Sequence, residues 1–382
     1  MSSDAPIATL LPGSRLYLID DEGVVFSRDR QELYALNTAA TYLWFLIEGG
    51  LAEDQVLRDY AAAFAVSDAT AAAHVAGVLE NFQTLGLIDA PGGTAPPATP
   101  VSKPRLKPEA EISPPMGVPP MRDATIVAQR IYRLLNTDFV IRYSNIEQAN
   151  WIDPILRNFT IPDGPDAPEP VGTTIVIDVQ HDGADIFLYR AGQPVGKCDG
   201  LDALAPMVKS CLWTSAINNF DYFLNLHTGV LGHRQGCVLL PAAAGSGNSS
   251  TTAALVHAGF PYLSDEVALL GQDCTVRSLP LALCFKDTGW GVVSRYFKEI
   301  DLLPAHRRSD GKIVKYLSLP EQQCADATQG YQVRAIIFPK YTPGAANTCE
   351  PLPKTQALDR LFRECVSIPG RLSERNVSRL VE

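Results

Sequence analysis

The sequence predicts a mixed α/β chain folded in two parts, and three observations carry that prediction. Residues 1–90 hold three short β-prone runs followed by three helical ones. Residues 91–122 are proline-rich and almost without apolar periodicity. From 123 to 382 strand-like and helix-like patterns alternate. A chain of 382 residues is long enough for each part to bury its own core. A composition of 46% hydrophobic and 19% charged residues is that of a globular protein, not a disordered one.

In the first part, residues 16–20 and 24–27 are β-prone, and Asp21-Glu22-Gly23 between them signals a hairpin turn. Glu32–Leu36 makes a third alternating run. Asn37 or Thr38 then caps a helix through residues 41–46, closed by Gly49-Gly50. A second helix over 52–64 carries Val56, Tyr60 and Phe64 at helical spacing. A third starts at Ser67 and aligns Val75, Val78, Leu79, Phe82 and Leu85 on one face before Gly86.

About a third of the 29 prolines fall within 91–120, which predicts an extended, semi-rigid linker between the parts. Beyond it, residues 139–143, 174–179 and 185–190 read as strands, and 200–224 as a long helix. Residues 236–240 read as a buried strand, and the glycine-containing loop after it opens a helix over 251–257.

Net charge of −10 argues against nucleic acid, whose binding rests on Lys and Arg neutralising phosphates, and against an anionic membrane surface. No run of about 18 apolar residues predicts a membrane span. The first residues lack the basic-then-apolar pattern of a secretory signal, so a cytoplasmic location is expected. The eight cysteines are scattered with no CxxC pair, which fits reduced, mostly buried thiols better than a zinc site or disulfide framework.

The stretches LYALNTAATYLWFLIEGG and VLENFQTLGLID, with the helix between them, resemble leader-peptide-recognition domains of the PqqD type. That family acts in pathways that modify ribosomally made peptides. The resemblance implies a winged-helix-like fold that takes up a leader peptide as an added strand. The strand would lie beside Leu33, Tyr34, Ala35 and Leu36 and pack on the third helix at Val75, Val78, Leu79 and Phe82. DNA, the usual partner of winged helices, would require Lys or Arg on that helix, and residues 67–88 contain neither.

Residues 223–270, with LPLALCFKDTGW and VRAIIFPKYTPG downstream, resemble the HPr kinase family. The resemblance implies a P-loop kinase-like α/β domain over 123–382, with His227 in the nucleotide cleft. It also implies an acidic pair, Asp265-Glu266, at the phosphates, acting as base or metal contact. A phosphate loop works because backbone amides cradle the β-phosphate, a lysine bridges to the γ-phosphate, and a hydroxyl binds Mg²⁺. Here the loop reads Ala242-Ala243-Ala244-Gly245-Ser246-Gly247-Asn248-Ser249, followed by Ser250. The first glycine is alanine and the lysine is Asn248. The cradle at Gly245, Ser246 and Gly247 fits ATP, and Ser249 with Asp265 fits Mg²⁺, but the charge is missing. Losing such a group costs about 3 kcal/mol, by analogy with one preorganised donor. Lys286, Lys312 and Lys315 are the candidates to replace it.

These features predict an accessory protein of peptide maturation. Its partners would be a precursor leader and a peptide-modifying enzyme, and its second domain a pseudokinase scaffold. The rivals are an active ATP-dependent Ser/Thr kinase acting on the bound peptide, and a nucleotide-sensing regulator without a peptide substrate.

Overall fold

A computed structural model describes residues 5–89, 117–162, 168–234, 236–242 and 246–382. Residues 91–116 of the expected linker lie outside the described residues. The chain forms two compact units, residues 1–107 together with 345–382, and residues 108–344.

The first unit contains an antiparallel sheet of β1 (Ser14–Ile19), β2 (Glu22–Ser27) and β3 (Glu32–Leu36), in that order. Helices α1 (Thr38–Glu48), α2 (Glu53–Phe64) and α3 (Asp68–Thr84) follow. Local chemistry sets these boundaries. The Asn37 side chain accepts from the Ala40 N–H at 2.9 Å, and Ser67 Oγ accepts from the Thr70 N–H at 3.2 Å, so each fills an orphan donor of a first turn. Strand alternation sends Leu16, Val25, Tyr34 and Leu36 to one face, where they meet Leu43, Trp44, Val56, Tyr60, Val75 and Phe82. The rings of Trp44 and Phe82 meet edge-on, 5.7 Å between centroids.

The expected hairpin turn sits earlier than the sequence suggested. Asp20, with φ of 54°, makes the turn with Asp21, while Glu22 and Gly23 already pair with Ile19 and Leu18. Gly23 serves close packing instead, since a Cβ there would lie 2.6 Å from Leu16 Cδ1 and 2.8 Å from Thr41 Oγ1.

The second unit contains two larger sheets. β4 (Ala128–Leu134), β5 (Thr137–Tyr143), β6 (Thr173–Asp182), β7 (Asp185–Arg190) and β8 (Gln193–Cys198) run side by side in reverse order, 8-7-6-5-4, with only β5 and β6 parallel. Helices α4 (Ile146–Leu156) and α5 (Leu201–Asn218) share one core with this sheet. α5 stops before the expected residue 224 because the chain turns at Asn219 and Phe220 into β9 (Leu224–Leu226). Next come β10 (Thr228–His233), β11 (Gly236–Pro241), α6 (Asn248–His257), β12 (Tyr262–Ser264), β13 (Ala268–Leu270) and β14 (Thr275–Arg277). β15 (Leu283–Lys286), α7 (Asp287–Val293), β16 (Ile313–Leu317) and β17 (Gly330–Ile336) complete the unit. Within the unit the second sheet is ordered 12-10-11-17-14-13-9, with β11 and β17 parallel. The strand–loop–helix unit β11–α6 therefore places the head of α6 at the carboxyl end of a buried strand.

The last residues belong to the first unit, not to the second part where the sequence placed them. Within that unit α8 (Lys354–Arg363) lies against β2 and β3, and α9 (Glu374–Val381) against β1. Lys354 Nζ reaches Asp20 at 2.7 Å, Thr355 Oγ1 bonds Glu22, and Arg15 pairs with Glu374 at 2.6 Å. The Gln31 amide both accepts from Leu372 N–H at 2.7 Å and donates to its carbonyl at 3.3 Å. Exposed ion pairs of this kind contribute little; the burial of Leu358, Leu361, Phe362, Leu372 and Val377 stabilises the arrangement more. An apolar stripe on a helix announces that it has a partner without saying which surface that partner is, so the sequence could not assign it.

Among the described residues no single helix is long and apolar enough to cross a membrane. Cys198, Cys211, Cys237 and Cys365 are buried.

Candidate functional site

β3 is the outer strand of its sheet and, among the described strands, pairs only with β2. Its second row of backbone donors and acceptors is therefore open to another strand. Leu33, Tyr34 and Leu36 are buried, and Ala35 is the exposed residue of the strand. The Tyr34 hydroxyl donates to the Glu32 carboxylate; burial, reinforced by that bond, pushes the phenol up to about 12. The Arg30 guanidinium in the β2–β3 turn donates to Leu85 O at 2.8 Å, at the end of helix α3.

The four α3 residues expected to meet a peptide divide into two pairs. Val75 and Phe82 lie in the core, whereas Val78 and Leu79 are only partly buried. At about 100° per residue, Val75 and Phe82 fall within about 20° of each other, and Val78 and Leu79 flank them on either side. The stripe is wider than its fully buried centre, and its two flanks pack partly buried against the same core.

In the second unit, Ser246, Gly247, Asn248, Ser249 and Ser250 lead into α6; Gly245 lies outside the described residues. Gly247 adopts φ of 89°, a conformation that favours glycine, so the helix starts at Asn248 instead of the expected 251. Asn248 does not face outward. With the amide assigned to suit its neighbours, its oxygen accepts from Gly229 N–H at 3.1 Å and its nitrogen donates to Leu240 O at 2.9 Å. The side chain that stands where a lysine would reach phosphate thus ties α6 to β10 and β11. Gly229 permits that approach, since a Cβ there would lie 2.3 Å from Thr252 Oγ1. Asn248→Ala should therefore cost about 1–3 kcal/mol by leaving two backbone groups without this partner. A lowered urea midpoint for unfolding of this unit is the expected readout.

Asp265 follows β12 and is buried, and neither carboxylate oxygen has a hydrogen-bond partner among the described residues. Burial pushes its pKa up to about 7, and the neighbouring Ser249 and Thr252 hydroxyls and Lys209 ammonium counter this only in part. Glu266 turns away to Lys209 at 2.6 Å, and Lys209, itself buried, sits 4.8 Å over the Tyr316 ring. His227 is exposed, and its Nδ1 lies 2.9 Å from the Glu266 carbonyl oxygen. The expected trio thus clusters by sequence proximity and strand pairing, but Glu266 and His227 are engaged with protein groups.

Lys209 belongs to none of the sequence motifs. Its one signal is its place in the middle of the apolar pattern of α5, where a charge needs a buried partner. Of the three lysines expected to replace the missing cation, Lys312 binds Asp310 at 2.7 Å. Lys315 donates to Ile300 O at 2.9 Å and lies 4.6 Å over the Trp290 ring. Lys286, at the head of α7, takes no part in an ion pair among the described residues; α7 passes α6 where a Cβ on Gly289 would lie 3.7 Å from Ser250 Oγ. Asn248 is thus turned inward, and Lys312 and Lys315 are engaged with protein groups. Asp265 with Ser249 is the pair placed together that could meet a cation.

Residues 22–88 match the family model for coenzyme PQQ synthesis protein D (PqqD). No curated protein and no solved structure matches the chain. The matched stretch runs from β2 to the end of α3, so it contains both the open edge and the helix flank.

Proposed function

We propose that the chain is an accessory protein in the maturation of a ribosomally made, post-translationally modified peptide. Its first unit takes up the leader of the precursor as an added strand beside β3. The observation that carries this is the open β3 edge, inside the PqqD-matched stretch. Main-chain pairing would give the affinity and alternate side chains the specificity. Tethering a captured leader raises the local concentration of the peptide core around the rest of the chain.

Residues 108–344 are an HPr kinase-like domain that does not transfer phosphate and serves as a scaffold for the core or for a partner enzyme. Support comes from the strand–loop–helix order at β11–α6 and from the inward use of Asn248. Calorimetric titration of the full chain with synthetic leaders, taken from short reading frames beside the gene, should give a Kd of about 1 μM or tighter, roughly −8 kcal/mol. No heat with any of them would overturn the leader-binding role.

The competing role, an ATP-dependent Ser/Thr kinase acting on the bound peptide, is favoured by one observation: Lys286, near α6, makes no ion pair among the described residues. The protein incubated with labelled ATP and a bound leader-core peptide should transfer no label. Labelling that disappears in both Lys286→Ala and Asp265→Ala would replace the scaffold with the kinase.

A further inference from the structure

The outer face of the small sheet carries a feature beyond the residues that match the PqqD model. A small recess of about 20 Å³ lies between Val24, Leu33 and Ala35 on the sheet and Thr355, Leu358, Asp359 and Phe362 on α8. Val24 and Ala35 are cross-strand partners, so the floor is a single pair with Leu33 one step along the same face. Ala35 is small and exposed, which leaves the floor low. The walls are apolar, and the one carboxylate, Asp359, is held by Arg363 at 2.9 Å.

This recess is continuous with the open edge, because Leu33 and Ala35 belong to the outermost strand. A strand added beside β3 would run about 4.8 Å from it and send alternate side chains to opposite faces. Those on the inner face would point to the side of the sheet that the three helices cover. Those on the outer face would stand over Leu33 and Ala35, in front of Leu358 and Phe362. In a sheet without α8 that second row would face water and contribute no selection.

We propose that α8 is the second wall of the peptide site, so that the occupant is an extended leader segment with apolar side chains on both faces of the strand. The proposal rests on the leader-binding role above. The outer-face residues would be spaced i, i+2 and medium-sized, matched to the low floor at Ala35.

The test uses the synthetic 20-residue leader peptide that binds the full chain most tightly, with alanine placed at each of its positions in turn. Full-length Ala35→Phe, which fills the recess from the surface, and Leu358→Ala, which lowers its wall, are compared with Leu79→Asp on the other face. Circular dichroism checks that each variant is folded. Against the wild type, alanine at leader positions of both parities should weaken binding. Ala35→Phe and Leu358→Ala should each lower affinity about tenfold and abolish the sensitivity of one parity only; Leu79→Asp should act on the other. Wild-type affinity in Ala35→Phe, or losses spread evenly over both parities, would remove α8 from the site while leaving the leader-binding role intact if Leu79→Asp still blocks the peptide. If no peptide binds the wild type, the leader-binding role fails and the recess proposal fails with it.

Discussion

Removing residues 345–382 is expected to abolish cooperative folding of the first unit. Strand alternation puts Val24, Phe26 and Leu33 on the outer face of the sheet, and they are 1%, 0% and 7% exposed. The C-terminal segment supplies the wall of the recess, the Gln31–Leu372 hydrogen bonds and the contacts of α9 with β1. Burying a Val, Leu or Phe side chain is worth about 1.5–3 kcal/mol, so uncovering three costs up to about 5–9 kcal/mol. That is comparable with the whole stability of a domain, about 5–15 kcal/mol. The exposed sheet would also carry an open edge, which favours aggregation. A fragment of residues 1–107 should therefore show no sharp thermal transition, whereas residues 1–107 joined to 345–382 by a flexible linker should melt cooperatively. A fragment of 1–107 that melts like the joined form would show that α8 and α9 are dispensable.

Asp265→Asn should stabilise the second unit at neutral pH and do so progressively less as the pH falls. The folded pKa is raised from 3.8 to about 7. Between those values the unfolded chain has released the proton while the folded chain still holds it. The stability tied to protonated Asp265 is thus fully present below about pH 4 and is lost as pH rises through about 7. A shift of roughly 3 units corresponds to about 4 kcal/mol at 1.36 kcal/mol per unit. The asparagine carries no charge, so the variant escapes this loss. Urea unfolding of the two proteins should give nearly equal midpoints at pH 4.5 and a clear advantage for the variant at pH 8. A difference independent of pH, or a wild type that is the more stable at pH 8, would mean that Asp265 is ionised at little cost, through a partner that burial alone does not suggest.

The parts of this fold that were legible in the sequence are those fixed by neighbouring residues. Asn37 and Ser67 announced their helices because a cap acts over three positions, and Glu32–Leu36 announced a strand by its alternation. The helical stripe of α3 was legible as a stripe. Which of its residues would be buried was not, because Val75 and Phe82 differ from Val78 and Leu79 only in what lies opposite them. The same limit hid the destination of α8 and the partner of Lys209. The loop sequence showed that a lysine was missing, but the inward bridge made by Asn248 depends on Gly229 and Leu240, which lie on two other strands.

The most direct test of the central claim is hydrogen exchange on the full chain with and without a saturating leader peptide. A leader added as a strand takes up the outward amides of β3, so exchange should slow across Glu32–Leu36 and over the Val78–Leu79 turn of α3. The buried inner strand β2 should change little. Unaltered exchange at Glu32–Leu36 with the peptide bound, or protection confined to residues 108–344, would contradict strand addition at this edge.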